Sequence, residues 1–231
     1  MPRSSRSSSA ARSDVPRDRL LRVAVEVFGR HGFEGTSTRA LAEAAGVNLQ
    51  AIAYYFGGKE GLYRAAAGHV VAVVAGHVAG ARERVRARLA EADAAGVPLE
   101  AGEARGLLAE LLRAMAGFFV SAESEPLARF VLREQAAPSE AFPMMFDTMM
   151  KPLCEELSRL VGRLLGEPPD SRHVRLRTLS LLGGVMVFRV GRAAVLHLLG
   201  RDALGAEEAA AIGDLAEELA RTVTPERGAL S

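Results

Sequence analysis

A single cysteine, Cys154, in a chain of 231 residues excludes an internal disulfide and fits a reducing compartment. No uncharged apolar run reaches membrane-spanning length, since the longest, over residues 65–80, is interrupted by His69 and His77. The opening MPRSSRSSSAAR holds no hydrophobic segment of the kind a secretory signal needs. A cytoplasmic protein with no membrane partner is the expectation. The period-two alternation of half-buried strands is nearly absent, which points to an all-α chain. Catalytic and metal-binding constellations are missing too. His69 and His77 stand two turns apart on one helix, too far for one ion to be held by both, and Glu155-Glu156 reads as a solvated helix face. No histidine or aspartate lies at an interpretable spacing for a nucleophilic cysteine or serine. The sequence therefore predicts no enzyme, no metal and no cofactor. Redox sensing by Cys154 stays open, because it depends on exposure and on a lowered thiol pKa.

What is present is enough apolar material for a large core, 49% of the residues, in one domain or in one small and one larger. Net charge is only +1, yet residues 1–64 carry ten Lys/Arg against six Asp/Glu, a modest basic bias that suits a polyanionic partner. Residues 1–14 read as a disordered basic tail, with an arm touching DNA phosphates or the minor groove as the sharper alternative. From residue 15 the stripe Leu20, Leu21, Ala24, Val27 and Phe28 predicts a first helix that stops at Gly32.

Residues 37–59, STRALAEAAGVNLQAIAYYFGGK, organise everything around them. Leu41, Ala42 and Ala45 form the apolar stripe of a short helix, and Gly46 followed by Val47 closes it. Asn48 can cap a second helix that buries Ile52 and Phe56 and leaves Asn48, Gln50, Ala51, Tyr54 and Tyr55 on its outer surfaces. Two short helices crossing through small residues, the second with a polar and aromatic face, have the geometry of a helix-turn-helix that inserts a recognition helix into the major groove. Gly57-Gly58 then turns the chain into a long helix beginning at Lys59 and ending near Ala95. Gly61, Gly68, Gly76 and Gly80 recur in it, each weakening it by about 1 kcal/mol relative to alanine. Either close packing offsets them, or the helix bends, or they are incidental in an alanine-rich chain.

Thr38-Arg39, Leu41-Ala42, Ala45-Gly46-Val47, Tyr54-Tyr55-Phe56 and Lys59-Glu60 together resemble the DNA-binding domain of the TetR family of bacterial transcriptional regulators. The resemblance implies that residues 15–62 bind double-stranded DNA. On that basis Arg39 reaches a base edge and Asn48 and Gln50 read bases. Leu49 or Ala51 meets a thymine methyl, and Thr38, Tyr54, Tyr55 and Lys59 hold phosphate and sugar.

Residues 63–225 read as a larger helical domain. Past Gly96-Val97-Pro98, Leu108, Leu111, Leu112, Met115, Phe118 and Phe119 make a wide apolar face. A short segment over residues 126–135 follows, and then residues 139–165 carry Met144, Met145, Met149 and Cys154, interrupted by Pro143 and Pro152. Unbranched methionines fill irregular space, so Met115, Phe118, Phe119, Met144, Met145, Met149, Cys154, Phe188 and Arg192 are candidate walls of a small-molecule pocket, with ordinary core filling as the alternative. Arg189 and Arg192 interrupt an apolar run, and are expected to be paired or to reach water along their stems; the sharper reading is that Arg192 meets an anionic group.

One helix is expected from Arg172 to about Leu199, apolar on two sides. Leu176, Leu179, Gly183, Met186, Val190 and Ala193 lie on a 3-4 repeat facing a second copy. Ile212, Leu215 and Leu219 of the last helix could complete a four-helix interface.

The runs REQAAPSEAF, MMKPLCEELSRLVGRLLGEP and RLRTLSLLGGVMVFRVGRAAVL resemble the ligand-binding and dimer domain of the CecR-like branch of the TetR family. That resemblance implies a cytoplasmic homodimer which represses transport or resistance genes and responds to a small-molecule effector. The expected function is a repressor on a palindromic operator, released by its effector. The alternative is a helical carrier or interaction protein with a vestigial helix-turn-helix.

Overall fold

The computed structural model describes the backbone of residues 7–225, with side chains from Pro16 onward. The six residues at each end lie outside it, so the expectation of a disordered tail is reached only in part: helix α1 spans Ser7–His31 and starts before residue 15. Alanine and arginine propagate a helix at little cost once a neighbouring stretch has nucleated it.

Ten further α-helices follow: α2 Thr38–Ala45, α3 Gln50–Phe56, α4 Lys59–Ala95, α5 Ala101–Val120, α6 Ser124–Ala136, α7 Phe142–Met145, α8 Lys151–Leu165, α9 Arg172–Val190, α10 Arg192–Leu199 and α11 Ala206–Arg221. Among the described residues there is no strand. A single π-helical turn, Phe146–Met150, joins α7 to α8. Pro152 sits in the first turn of α8, where a missing N–H leaves no helical bond unmade. The irregular chain expected around Pro143 and Pro152 is this α–π–α succession.

The chain divides into two compact units, residues 1–73 with 126–145, and residues 74–125 with 146–231. The amino-terminal unit therefore includes most of α6 and all of α7, a departure from the expected boundary at residue 62. Leu20, Leu21, Ala24, Val25 and Phe28 of α1 form its buried stripe, with Val25 in place of the expected Val27. Leu62, Tyr63, Ala66, Ala67 and Val70 of α4 and Leu127 and Phe130 of α6 complete its core. Arg133 of α6 donates to the carbonyl oxygens of Gly29 (3.2 Å) and Arg30 (2.8 Å) at the end of α1, where a cation suits the helix dipole. Buried Tyr63 donates to Glu134, only 2% exposed, which also accepts from the N–H and hydroxyl of Ser139. Nothing in the sequence pattern signalled this polar cluster.

In the carboxyl-terminal unit α5 lies at the centre. Leu108, Leu111, Leu112 and Ala116 pack among Val78, Ala81 and Val85 of α4, Leu157, Leu160 and Val161 of α8, Leu181 and Val185 of α9, and Ile212 and Ala216 of α11. Glu156 is buried and ion-paired with Arg82, not solvated as expected; only Glu155 is exposed. Ser158 and Thr178 share a buried hydrogen bond of 3.2 Å between α8 and α9.

Two more expectations change. The helix expected from Arg172 to Leu199 is broken at Gly191, and α9 and α10 meet at 72°. A side chain at Gly191 would sit 3.0 Å from the Val187 carbonyl oxygen, so glycine accommodates the bend. By length and composition α4 does contain an 18-residue window apolar enough to cross a membrane, with mean hydropathy 1.3, because two histidines barely lower an average dominated by alanine and valine. Its buried residues pack as those of a core helix, in the amino-terminal unit before Val73 and in the other unit after it.

Candidate functional site

Helix α2 is fixed at both ends. Ser37 caps it by accepting the Ala40 N–H at 3.1 Å, and Gly46, left-handed at φ 61°, ends it with its own N–H and that of Val47 returned to carbonyls of the last turn. Leu41, Ala42 and Ala45 are buried, which leaves Arg39 exposed and Thr38 half-buried. Asn48 then opens α3, its side-chain oxygen accepting the Gln50 N–H at 2.9 Å. Leu49, not the expected Asn48, is the N-cap of α3 and makes no side-chain cap bond; the Asn48 bond commits that oxygen and leaves its amide nitrogen to face outward partners.

Helix α3 is held by one buried anchor, Ile52, 1% exposed. Phe56, expected to be buried as well, is half-buried, with the Arg17 guanidinium 5.6 Å from its ring centre. The opposite face carries exposed Leu49 and Gln50, half-buried Ala51 and Tyr55, and Tyr54 at 82% exposure. Tyr54 and Tyr55 meet edge to face at 4.9 Å, so each limits the rotation of the other.

Gly57 and Gly58, at φ 74° and 130°, turn the chain into α4. Gly61 faces that turn: a Cβ there would lie 1.7 Å from the Phe56 carbonyl oxygen, a close approach that only glycine permits. No such crowding exists at Gly68 or Gly76. The Lys59 ammonium, in the first turn of α4, lies 4.2 Å from the centre of the Phe33 ring. That contact restrains the cation, which the first residue of α4 carries at a helix amino terminus, where the dipole favours an anion such as a phosphate. Phe33 and Ser37 are the positioning residues that the sequence pattern did not reveal. Thr38, Arg39, Asn48, Leu49, Gln50, Ala51, Tyr54, Tyr55 and Lys59 all belong to this one short region of the amino-terminal unit.

The expected pocket residues are less coherent. Met144 and Met145 belong to the amino-terminal unit, and Met145 is in its core. Met115, Phe118 and Met149 are buried in the other unit, where Phe119 and Phe188 pack half-buried on the core. Cys154 borders a recess of about 710 Å³ between α8 and α9, with Phe146, Ser158, Arg175, Thr178 and Leu179 also around it. Burial, and then the charge of Glu155, push its thiol pKa up, which disfavours the reactive thiolate. Arg189 is buried and held by main-chain carbonyls, and one nitrogen of Arg192 is buried without a hydrogen-bond partner. His77 lies 3.2 Å from Glu123 and meets the Phe118 ring at a tilt of 51°. Among the described residues no group of three His, Cys, Asp or Glu could hold a metal ion.

On α9 and α10, Leu176, Leu179, Gly183, Met186, Val190 and Ala193 are all exposed, while Val174, Thr178, Leu181 and Val185 face the core. On α11 the expectation needs correction. Ile212, 4% exposed, lies in this chain's own core, and Leu219 packs so closely on Gly184 that a Cβ there would lie 3.0 Å away. Only Leu215 of the three is exposed, because the stripe read from the sequence is the one α11 uses to cover α5.

Residues 20–66 match the family described as bacterial regulatory proteins, tetR family, and residues 104–225 match the C-terminal domain of the HTH-type transcriptional dual regulator CecR. The chain is 29% identical over 197 residues to CecR of Shigella flexneri, covering 85% of this chain and 86% of that protein. It is 30% identical over 169 residues to the HTH-type regulatory protein RaaS of Mycobacterium tuberculosis, covering 72% and 66%. A TetR-like transcriptional regulator from Rhodococcus sp. RHA1 has a similar fold, with a TM-score of 0.61 at 20% identity over 89% of this chain and 93% of that one. With an exposed polar and aromatic face on α3 and family matches across both parts of the sequence, the chain belongs to the TetR family of transcriptional regulators, in its CecR-like branch.

Proposed function

We propose that this regulator is a repressor that binds a palindromic operator as a homodimer in the cytoplasm and is released by a small-molecule effector. The observation that carries this reading is the outer face of α3, where Leu49, Gln50 and Tyr54 stand in solvent around a single buried anchor, Ile52. Tyr54, 82% exposed and met edge to face by half-buried Tyr55, is costly as mere surface and apt as a phosphate and sugar contact. Arg39 meets a guanine edge, Gln50 and the Asn48 amide read bases, Leu49 or Ala51 lies against a thymine methyl, and Thr38, Tyr55 and Lys59 grip the backbone. The exposed apolar residues of α9 and α10 pair two copies, so that both recognition helices reach grooves about one turn, roughly 34 Å, or a multiple apart. An effector in the carboxyl-terminal unit alters that span and weakens binding.

The test is a gel-shift series with the protein's own upstream DNA at rising salt. Steep loss of affinity with salt, together with competition by a palindrome alone, is the expected result. Arg39→Ala should relax specificity at one position, and Lys59→Ala should weaken all sequences alike. Absence of retardation at low salt would sink the reading.

A further inference from the structure

We propose that the guanidinium groups of Arg189 and Arg192, on either side of Gly191 at the bend between α9 and α10, receive the carboxylate or phosphate of a small-molecule ligand. The inference rests on the effector-controlled reading above and names the chemistry of the effector. Arg189 is 6% exposed. Its Nε donates to the Phe119 carbonyl oxygen at 2.8 Å and its Nη2 to that of Ser121 at the end of α5. Those carbonyls orient the fork but carry no net charge, and among the described residues Arg189 has no ion pair within 4 Å. A buried cation is normally matched by an anion, because leaving it unmatched forfeits its hydration.

Arg192 follows one residue after Gly191, and its Nη1 is buried with no hydrogen-bond partner. A guanidinium has five donors and no acceptor, so a buried idle one is a binding capacity left unused. The two cations also sense each other. Burial first, and then the charge of Arg192, pull the Arg189 guanidinium below its usual range, against a smaller opposing influence of Glu125. Two like charges placed together in a low-dielectric setting favour an anion between them, and planar forks match the oxygens of a carboxylate or phosphate. Phe119, whose carbonyl holds Arg189, belongs to an aromatic group with Phe118 and His77, at 5.6 and 4.7 Å between ring centres. An acidic head joined to an apolar body fits these surroundings.

Full-length protein and its Arg192→Met and Arg192→Lys variants are titrated with sodium octanoate, inorganic phosphate and 1-octanol at constant ionic strength, following the thermal midpoint. Sedimentation and gel shift are run on the same samples. Wild type should be stabilised by at least one anion and not by octanol. Arg192→Met should weaken anion binding about tenfold or more, and Arg192→Lys less, since it keeps the charge and loses the fork. Protection by octanoate alone assigns the site to a carboxylate on an apolar chain, and protection by phosphate assigns it to a phosphoryl group. An equal response to octanol, no response to either anion, or unchanged anion affinity in Arg192→Met overturns the proposal. So does weakened self-association of Arg192→Met with anion affinity intact, which would make Arg192 a contact between copies. Loss of operator binding by the ligand-free wild type would instead sink the regulatory reading and leave the anion result standing.

Discussion

The Arg82 guanidinium spans both carboxylate oxygens of Glu156, Nη2 to Oε1 at 2.6 Å and Nε to Oε2 at 2.7 Å, tying α4 to α8 inside the carboxyl-terminal unit. The Glu156 hydrogen bonds raise the Arg82 pKa and outweigh burial, so the pair is held charged. Glu156→Ala should destabilise the protein by about 3–5 kcal/mol, because it leaves a buried cation unmatched. The double variant Arg82→Met/Glu156→Leu should recover most of that loss in urea denaturation. Recovery would show that charge matching, rather than the ion pair itself, is what the site requires.

Tyr63 couples the amino-terminal unit to pH at the alkaline end. Burial, followed by the hydrogen bond to Glu134, raises its pKa well above the ordinary 10.0. As pH rises past that ordinary value the unfolded chain loses the phenolic proton first, so stability is full below about pH 10 and declines above it. Tyr63→Phe should abolish this decline. At pH 8 the same variant should cost about 1–3 kcal/mol, since buried Glu134 loses the Tyr63 donor while those of Ser139 remain. Urea midpoints at the two pH values check both parts.

The glycines of α4 should separate under alanine substitution. Gly76→Ala, with nothing within 4 Å of the added methyl, should stabilise by about 1 kcal/mol through helix propensity alone. Gly61→Ala should destabilise and also weaken operator binding, since the turn carrying Lys59 must move to admit it. Thermal midpoints and gel shifts of the two variants give the comparison.

Cys154 should be a slow thiol. With its pKa raised by burial and by Glu155, its reaction with a disulfide reagent at pH 8 should lag behind that of a free thiol. Operator affinity should be unchanged by mild oxidation, as measured by gel shift before and after peroxide. A rapid reaction or a peroxide-dependent release of DNA would revive a redox role.

Leu176→Asp probes the exposed stripe of α9. The residue is 54% exposed, so the fold of one copy should survive with its helical circular dichroism intact. Sedimentation should show a shift toward monomer, and the palindrome should be bound about tenfold or more weakly because two half-sites no longer act together. An unchanged mass would place the interface elsewhere.

Local signals in the sequence identified the helix-turn-helix. Gly46, Asn48, the Gly57-Gly58 turn and the start of α4 at Lys59 act over three or four residues, and hydrogen-bonding geometry at that range depends on residue type alone. The exposed repeat on α9 was legible for the same reason, since a 3.6-residue period sorts a helix into faces. What remained hidden was which face meets what. Ile212 and Leu219 read as an interface until α11 was seen lying on α5, and Glu156 read as solvated until Arg82, from another helix, was seen reaching it.

By itself, then, the sequence determined that the chain is all-helical, where most helices begin and end, and that α3 shows a polar and aromatic surface, because capping and periodicity are short-range physics. Only the tertiary structure decided that α6 joins the amino-terminal unit through Arg133 and Glu134, that Lys59 rests on Phe33, and that Arg189 is buried at the same bend where Arg192 holds an unbonded nitrogen. Each of these depends on residues that are distant in the chain, or on a bend at one glycine, and neither leaves a periodic trace in the order of amino acids.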